Sequence, residues 1–445
     1  MKANLRLSHT QIIALGFFLL ILSGTVLLLL PISQRSGAAV TVSEALFTAT
    51  SASCVTGLVV RDTWQTWSFF GQAVLLVLIQ IGGLGFMTIA TRFFMLIHHH
   101  KIGLREREIL SESINSTRIG GILKLTRRIV FVTLTVEAAG ALLLAIRFVP
   151  QFGGLGIWFA VFHAVSAFCN AGFDLMGSYG AYASFTAYIG DWLVSLTLIG
   201  LILIGGLGFV VWDNLATYRW HWKRYSLQSK LVLTSTLVLV LGGTVLFFLC
   251  ERNATGAGHS TETQILAALF DAVTPRTAGF NTVDTAQLSE DGKLLSVVLM
   301  FIGGSPGSTA GGIKTTTIAV MLLYACAYVR REEEAHSFGR RIPMELLGKA
   351  AAVFFTNLIL VLIATFLICS VQSLALTSVL FETVSAVSTV GMTTGITRDL
   401  LPVSRVVIMF LMYCGRVGGL SFATALAPRS SSTLIKWPVE EVLIG

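Results

Sequence analysis

The sequence predicts an all-α polytopic membrane protein: four non-identical repeats of span, pore hairpin and span around a central pore, with eight transmembrane helices and four re-entrant pore loops. Three observations lead there. Of 445 residues, 54% are hydrophobic and only 12% charged, against about 25% charged in an average globular protein, and the mean hydropathy is +0.79. Long apolar runs recur, and a bilayer-spanning helix requires about 20 such residues. Two series of glycines repeat in step along the chain.

The runs cover roughly 10–30, 71–97, 129–149, 188–213, 231–250, 294–329, 350–370 and 403–427. The first follows only Lys2 and Arg6. It is too long for the apolar core of a signal peptide and no small-residue cleavage site follows LLLLPISQ, so it is expected to stay as a span. The formal charge of +8 would suit nucleic acid if it formed one soluble patch, but it is distributed by topology. Lys101, Arg105, Arg107, Arg118, Lys124, Arg127 and Arg128 fall in one loop. Arg219, Lys223, Arg224 and Lys230 fall in a second, and Arg330, Arg331, Arg340, Arg341 and Lys349 in a third. The alternate loops hold Arg35, Arg61, Arg147, Arg252, Arg276, Lys293, Arg398 and Arg405, thinly spread. The positive-inside rule makes the first set cytoplasmic, and an even number of spans places both termini there too. His98, His99 and His100 belong to the same inner flank; a metal site is the competing reading. The six cysteines show no C-x-x-C spacing and read as small packing residues.

The repeats divide the chain at 1–97, 98–218 with its preceding cytoplasmic loop, 219–335 with an intramembrane loop at 303–314, and 336–445 with a cytoplasmic tail. Between the spans of each unit stand ALFTATSASCVTGL (45–58), AVFHAVSAFCNAGF (160–173), ALFDAVTPRTAGF (268–280) and VLFETVSAVSTVGM (379–392). Each has a Phe, a short amphipathic stretch, and a glycine ten residues after the Phe, nine in the third. The second spans carry QIGGLGF (80–86), LIGGLGF (203–209), FIGGSPG (301–307) and RVGGLSF (416–422). Glycine pairs let helices pack closely in membranes; that does not explain why they lie 24 to 33 residues after each hairpin glycine.

The first half of such a hairpin is too short to cross a bilayer, and irregular backbone at membrane depth must be buried in protein or line a water-filled path. Four copies around one axis bring four backbone segments together, and rings of carbonyls replace the hydration shell of a cation. The fourth copy, Ser388-Thr389-Val390-Gly391, contains the Thr-Val-Gly core of the potassium-channel filter, and Thr56-Gly57, Ala171-Gly172 and Ala278-Gly279 are degenerate versions of it.

On these residues the sequence resembles the Trk/Ktr/HKT superfamily of potassium transporters, and within it the KtrB membrane subunits of bacterial Ktr systems, over essentially the whole chain. The resemblance implies a potassium filter with one glycine from each unit: Gly57, Gly172, Gly279 and Gly391. With their neighbours, the ion-binding backbone would be Val55-Thr56-Gly57, Asn170-Ala171-Gly172, Thr277-Ala278-Gly279 and Thr389-Val390-Gly391. No serine replaces these glycines, as it does in some sodium-selective relatives. The third hairpin departs from the pattern: it is one residue shorter and carries Pro275-Arg276. The resemblance further implies K+ as the permeating ion with no covalent cofactor, a place in the bacterial cell membrane, and a homodimer on a cytoplasmic ring of nucleotide-binding regulatory subunits of the RCK, KtrA-like type.

The stretch GGSPGSTAGGIKTTT (303–317) interrupts a region, 294–329, too long for one straight helix. A phosphate-binding P-loop needs Gly directly before its Lys, and Ile313 intervenes here. A packing kink is the plain reading. The sharper one is a gate: a polar plug on the ion path just below the filter, formed by Gly303, Gly304, Ser305, Pro306, Gly307, Ser308, Thr309, Ala310, Gly311 and Gly312 with Lys314. The family resemblance implies the same role.

Arg416, immediately before the fourth unit's glycine pair, either holds that loop by hydrogen bonds, narrows the pore electrostatically, or bonds a neighbouring helix. Intramembrane charges are costly and usually functional. Lys314 either faces the pore or snorkels to the inner surface. Glu137, mid-span, reads as a buried helix-to-helix bond rather than a proton carrier. Asp271 and Glu382 are expected near the outer mouth, raising the local cation concentration or capping their short helices. The function expected is passive potassium permeation. A cation-coupled potassium symporter is the alternative, and it usually needs acidic or His relays at mid-membrane. An intramembrane enzyme would need HExxH, GxSxG or paired-Asp motifs, which the spans lack.

Overall fold

The computed structural model describes residues 8–85, 122–419 and 440. Each repeat opens with one long apolar helix: α1 (His9–Leu29), α4 (Ile122–Phe152), α8 (Leu227–Glu251) and α12 (Met344–Val371). Among the described residues these are the helices long and apolar enough to cross a membrane unbroken. Their starts follow ordinary chemistry. Ser8 and Gln11 form a capping box on α1, and the Ser226 hydroxyl accepts from Ser229 N–H at the head of α8.

The second helix of each repeat stops at a glycine, and glycine is the cause. The pieces α3 (Phe69–Leu84), α6 (Trp192–Leu207), α10 (Glu290–Ile302) and α14 (Pro402–Val417) end at Gly85, Gly208, Gly303 and Gly418. All four glycines have positive φ, between 66° and 96°, a conformation that ends a helix and that side chains resist. Past Gly208 the chain turns by 95° into α7 (Phe209–Tyr218). Past Gly303 a loop runs to α11 (Thr315–Val329). Residues 86–97 of the second apolar run, most of the basic loop at 98–128 with His98–His100, and the tail at 437–445 except Glu440 lie outside the described residues. Arg340 and Arg341 form one strand of a small antiparallel hairpin with His336 and Ser337.

Between the two helices of each repeat lies a short one: α2 (Val42–Cys54), α5 (Gly154–Phe168), α9 (Thr261–Val273) and α13 (Leu376–Val387). The longest has 15 residues, about 22 Å at 1.5 Å per residue, too short to cross. The repeated Phe of each hairpin, Phe47, Phe162, Phe270 and Phe381, is wholly buried and fixes its short helix in the core. Neighbouring repeats interlock in sequence order: α3 packs on α5, α6 on α9, α10 on α13, and α14 back on α2. The four units thus close a ring.

Candidate functional site

All four short helices point their C-terminal ends at the ring's axis, and each is followed by the same backbone turn. Val55, Asn170, Thr277 and Thr389 have φ between 51° and 78°, and two residues later Gly57, Gly172, Gly279 and Gly391 have φ between 69° and 99°. A β-branched residue at positive φ is a true outlier. Such strain, of order 1–3 kcal/mol per residue, persists only where the surroundings impose it. Here they do so through one bond per repeat. Thr56, Ala171 and Val390 each donate to the carbonyl five residues back, in Ser51, Ser166 and Ser385, at 2.8 to 2.9 Å. In the third repeat Ala278 donates to Thr274, four back, at 2.9 Å. The missing residue of that hairpin is thus absorbed before the turn, and Thr277-Ala278-Gly279 keeps the shape of the other three.

The glycines are locked to one another in cyclic order. A Cβ on Gly57 would meet the Ala171 carbonyl oxygen at 2.6 Å, and one on Gly172 the Ala278 oxygen at 2.8 Å. One on Gly279 would strike the Val390 oxygen, and one on Gly391 the Thr56 oxygen, closer still. Each glycine therefore admits the carbonyl of the next repeat, and the fourth admits that of the first. Asn170 and Thr277, hydrogen-bonded side chain to side chain at 3.1 Å, tie the second repeat to the third. The four glycines line one end of a vestibule of about 620 Å³.

Four supporting hydroxyls escaped the sequence reading. Ser51 Oγ and Ser385 Oγ accept from Gly57 N–H at 3.0 Å and Gly391 N–H at 3.1 Å. Ser166 Oγ and Thr274 Oγ1 donate to the carbonyls of Phe173 at 2.7 Å and Phe280 at 2.6 Å. The signal was present as a Ser or Thr six residues before each glycine, five in the third hairpin. Ser385→Ala would leave the Gly391 N–H buried without its partner, a loss of about 1–3 kcal/mol. The expected result is a lower Tm, with much of the potassium-dependent part of thermal stability gone. A Tm matching the parent at every potassium concentration would refute that support.

On the other side of the ring from the vestibule lies the loop from Gly303 to Lys314, against the residues that precede the ring glycines. Thr309 Oγ1 donates to Phe168 O at 3.2 Å. Gly311 lies against the Thr389 side chain, and Gly312 against Ser388, whose Cα an added Cβ would meet at 2.7 Å. Three of the loop's amides donate to carbonyls of the neighbouring second helices. Ser305 and Thr309 donate to Gly206 and Gly205 at 3.2 and 3.3 Å, and Gly312 donates to Gly415 at 3.2 Å. Gly307 O accepts from Phe209 N–H at 2.7 Å, and Pro306 O sits where a Cβ on Gly208 would fall. Lys314 neither snorkels nor projects alone: its Nζ donates to Ala310 O at 2.7 Å and Gly311 O at 2.8 Å, folding the loop on itself.

Arg416 fastens the loop to the ring. Its guanidinium donates to Thr309 O in the loop, to Gly82 O, and to Gly83 O at 3.1 Å. The structure also corrects the register in which the fourth unit is expected to align. A Cβ on Gly82, Gly205 or Gly415 would strike the carbonyl of Ser53, Phe168 or Val387, each four residues before a ring glycine. Gly415-Arg416-Val417-Gly418 therefore matches Gly82-Gly83-Leu84-Gly85 and Gly205-Gly206-Leu207-Gly208, three residues earlier than the pair Gly418-Gly419 suggests. Arg416 stands where two other repeats have glycine, which is why its side chain reaches the space below the ring.

The remaining charges fall differently from expectation, except Glu137. That residue accepts from Gln80 Nε2 at 3.2 Å, a bond between α4 and α3, as expected. Asp271 and Glu382 are 4% and 0% exposed, lie past the first turns of α9 and α13, and do not line the vestibule. They neither cap those helices' N-termini nor form the outer mouth; Glu382 accepts from the Thr397 hydroxyl. The acidic residues at the mouth are instead Asp62, Asp174, Asp284 and Asp399. No composition or spacing signal marked them.

The chain matches a family model named TrkH, described as a cation transport protein, over residues 4–434. It is 41% identical over 452 aligned positions to the potassium/sodium uptake protein NtpJ of Enterococcus hirae, covering 100% of this chain and 99% of the relative. It is 40% identical over 443 positions to the Ktr system potassium uptake protein B of Bacillus subtilis strain 168, covering 99% and 97%. The solved structure of the potassium transporter TrkH from Vibrio parahaemolyticus aligns with a TM-score of 0.75 over 96% of this chain and 86% of that one. Its identity is 19%, so the likeness is one of fold.

Proposed function

Since this chain belongs to the TrkH family of cation transport proteins, we propose that it is the potassium-translocating membrane subunit of a Ktr-type uptake system. K+ passes through the ring of Gly57, Gly172, Gly279 and Gly391, and the loop from Gly303 to Lys314 gates it from below. The observation that carries this reading is the cyclic lock of four glycines on four carbonyls. Alternating left- and right-handed residues turn successive carbonyls to one side, where an extended strand would alternate them, and a ring of such carbonyls replaces the hydration shell of a cation. The C-terminal ends of four helices add their partial negative charges at the same place. Thr56 and Thr389 contribute buried hydroxyls without a hydrogen-bond partner among the described residues, further oxygens for a dehydrated ion.

The gate reading rests on position. The loop lies against the residues just before the ring and is held by backbone bonds and by Arg416, which ties its Thr309 to Gly82 and Gly83, so we read this as the closed arrangement. The eight-span, four-repeat architecture with both termini cytoplasmic, and a homodimer on a ring of nucleotide-binding subunits, complete the proposal. The relatives named as proteins of a Ktr system support further subunits.

The test is flux in proteoliposomes under a potassium gradient with sodium absent. Passive permeation is expected to run in either direction and to reverse sign with the gradient. The cation-coupled alternative draws on the relative whose name includes sodium; it expects no net potassium movement until sodium is supplied. Flux that needs sodium would overturn the passive reading.

A further inference from the structure

Above the ring, one side chain carries the wrong sign for a cation path. Arg398, in the turn Ile396–Asp399 of the fourth repeat, lines the vestibule together with Asp62, Asp174, Asp284 and Asp399. Its guanidinium carbon stands 3.8 Å from the centre of the Tyr182 ring, in the second repeat. The stack thus joins a loop of the second repeat to one of the fourth at the wall of the vestibule. Both ends are fixed. Tyr182 donates its N–H to Asp62 Oδ2 at 2.8 Å and its hydroxyl to Val60 O at 3.3 Å, both in the first repeat. The Arg398 carbonyl accepts from Arg405 Nη2 at 3.1 Å.

The choice of partner matters. A carboxylate would cancel the charge of the guanidinium, whereas an aromatic face holds a cation and leaves its charge in place. Among the described residues Arg398 makes no ion pair. Four carboxylates alone would concentrate cations at the mouth, divalent ones most strongly. A fixed positive charge opposes this in proportion to the charge of the arriving ion, so the penalty factor for a divalent ion is the square of that for a monovalent one. At a separation on the order of 8 Å in water the factors are about 2 and about 5.

We propose that Arg398, pinned on Tyr182, is a specificity-determining residue that disfavours divalent cations at the outer mouth, sparing potassium permeation from divalent block. This rests on the reading of the ring as a cation path. The test is rubidium or potassium uptake into proteoliposomes at low ionic strength, with Mg2+ titrated on the vestibule side. Arg398→Gln is expected to lower the half-blocking Mg2+ concentration about fivefold and the half-saturating potassium concentration about twofold. Arg398→Lys keeps the charge and is expected to stay near the parent. Tyr182→Leu keeps the charge but frees it, and should lower half-block by about twofold. The differences should fade in high salt as the screening length falls to about 3 Å at 1 M.

Equal Mg2+ sensitivity in Arg398→Gln and the parent, in protein that still carries potassium, would overturn the inference and leave the function standing. Absence of potassium flux in the parent would instead sink the reading beneath it. Should Arg398→Gln fail to fold, Tyr182→Leu decides: a Mg2+ block unchanged in that variant removes the role of the stack.

Discussion

Replacing Gly391 with alanine is expected to abolish most of the preference for potassium over sodium. The added methyl has nowhere to go. It would fall on the Thr56 carbonyl oxygen and within 2.8 Å of Gly57 Cα, at a φ of +91° that side chains rarely adopt. Backbone, not a flexible side chain, must yield, and the oxygen displaced is one of those proposed to hold the ion. A tenfold loss of discrimination needs only about 1.4 kcal/mol of differential binding, less than the cost expected from such a displacement. Gly57→Ala should act likewise through Ala171 O. Gly395 is the control: its φ is +99°, but an added Cβ meets nothing within 4 Å. Gly395→Ala should therefore cost about 1–2 kcal/mol of stability and leave selectivity alone. Bi-ionic flux on the purified variants is the measurement. An unchanged preference in Gly391→Ala would remove that glycine from the filter.

The second large effect is expected at Arg416. Arg416→Ala removes the donor that ties Thr309 in the loop to Gly82 and Gly83 in the first repeat. A hydrogen bond to a charged group contributes about 1.5–3 kcal/mol, so losing even one shifts a two-state gate about tenfold to a hundredfold. Potassium flux should rise and depend less on the cytoplasmic regulator. Arg416→Lys keeps the charge but not the fork that reaches both sites at once. A pore narrowed by charge alone would leave Arg416→Lys closed, while a mechanical tie predicts that it too leaks. Cutting out the whole loop is the blunter experiment, because Gly311 and Gly312 also brace Thr389 and Ser388 from below. If Arg416→Ala folds as the parent does and conducts no faster, the loop is packing and not a gate.

The hairpins were legible because two constraints act on few positions: a Phe that must be buried and a glycine that must admit a neighbour's carbonyl. Spacing alone therefore located Gly57, Gly172, Gly279 and Gly391. The loop at 303–314 was legible because glycines that dense cannot continue a helix. Asp271 and Glu382 misled because their chemistry suggests an ion path, while only the rotation of α9 and α13 decides which way they face; both face inward. The fourth unit's register was misread for a related reason. Gly418-Gly419 offered a pair to align, but the contact that matters needs a single glycine at the end of a short helix, and Gly415 provides it. The vestibule residues come from four separate loops brought together by closure of the ring, which no local pattern records.

Arg416 also bears on why the four units share one chain. In an assembly of four identical subunits, every residue near the axis appears four times, so an arginine at this position would place four guanidinium groups in a space where one suffices to fasten the loop. Like charges so close, with no carboxylate to pair them, would repel one another and expel the ion. Covalent linkage removes that symmetry. Gly83 and Gly206 bring no side chain from two quadrants, the third supplies the loop with Lys314 folded back on Ala310 and Gly311, and the fourth supplies the guanidinium. Asymmetry is thus what allows a single latch at the centre of a nearly fourfold object. A homotetramer built from copies of the fourth unit alone would be expected to lack a working gate even if its filter formed.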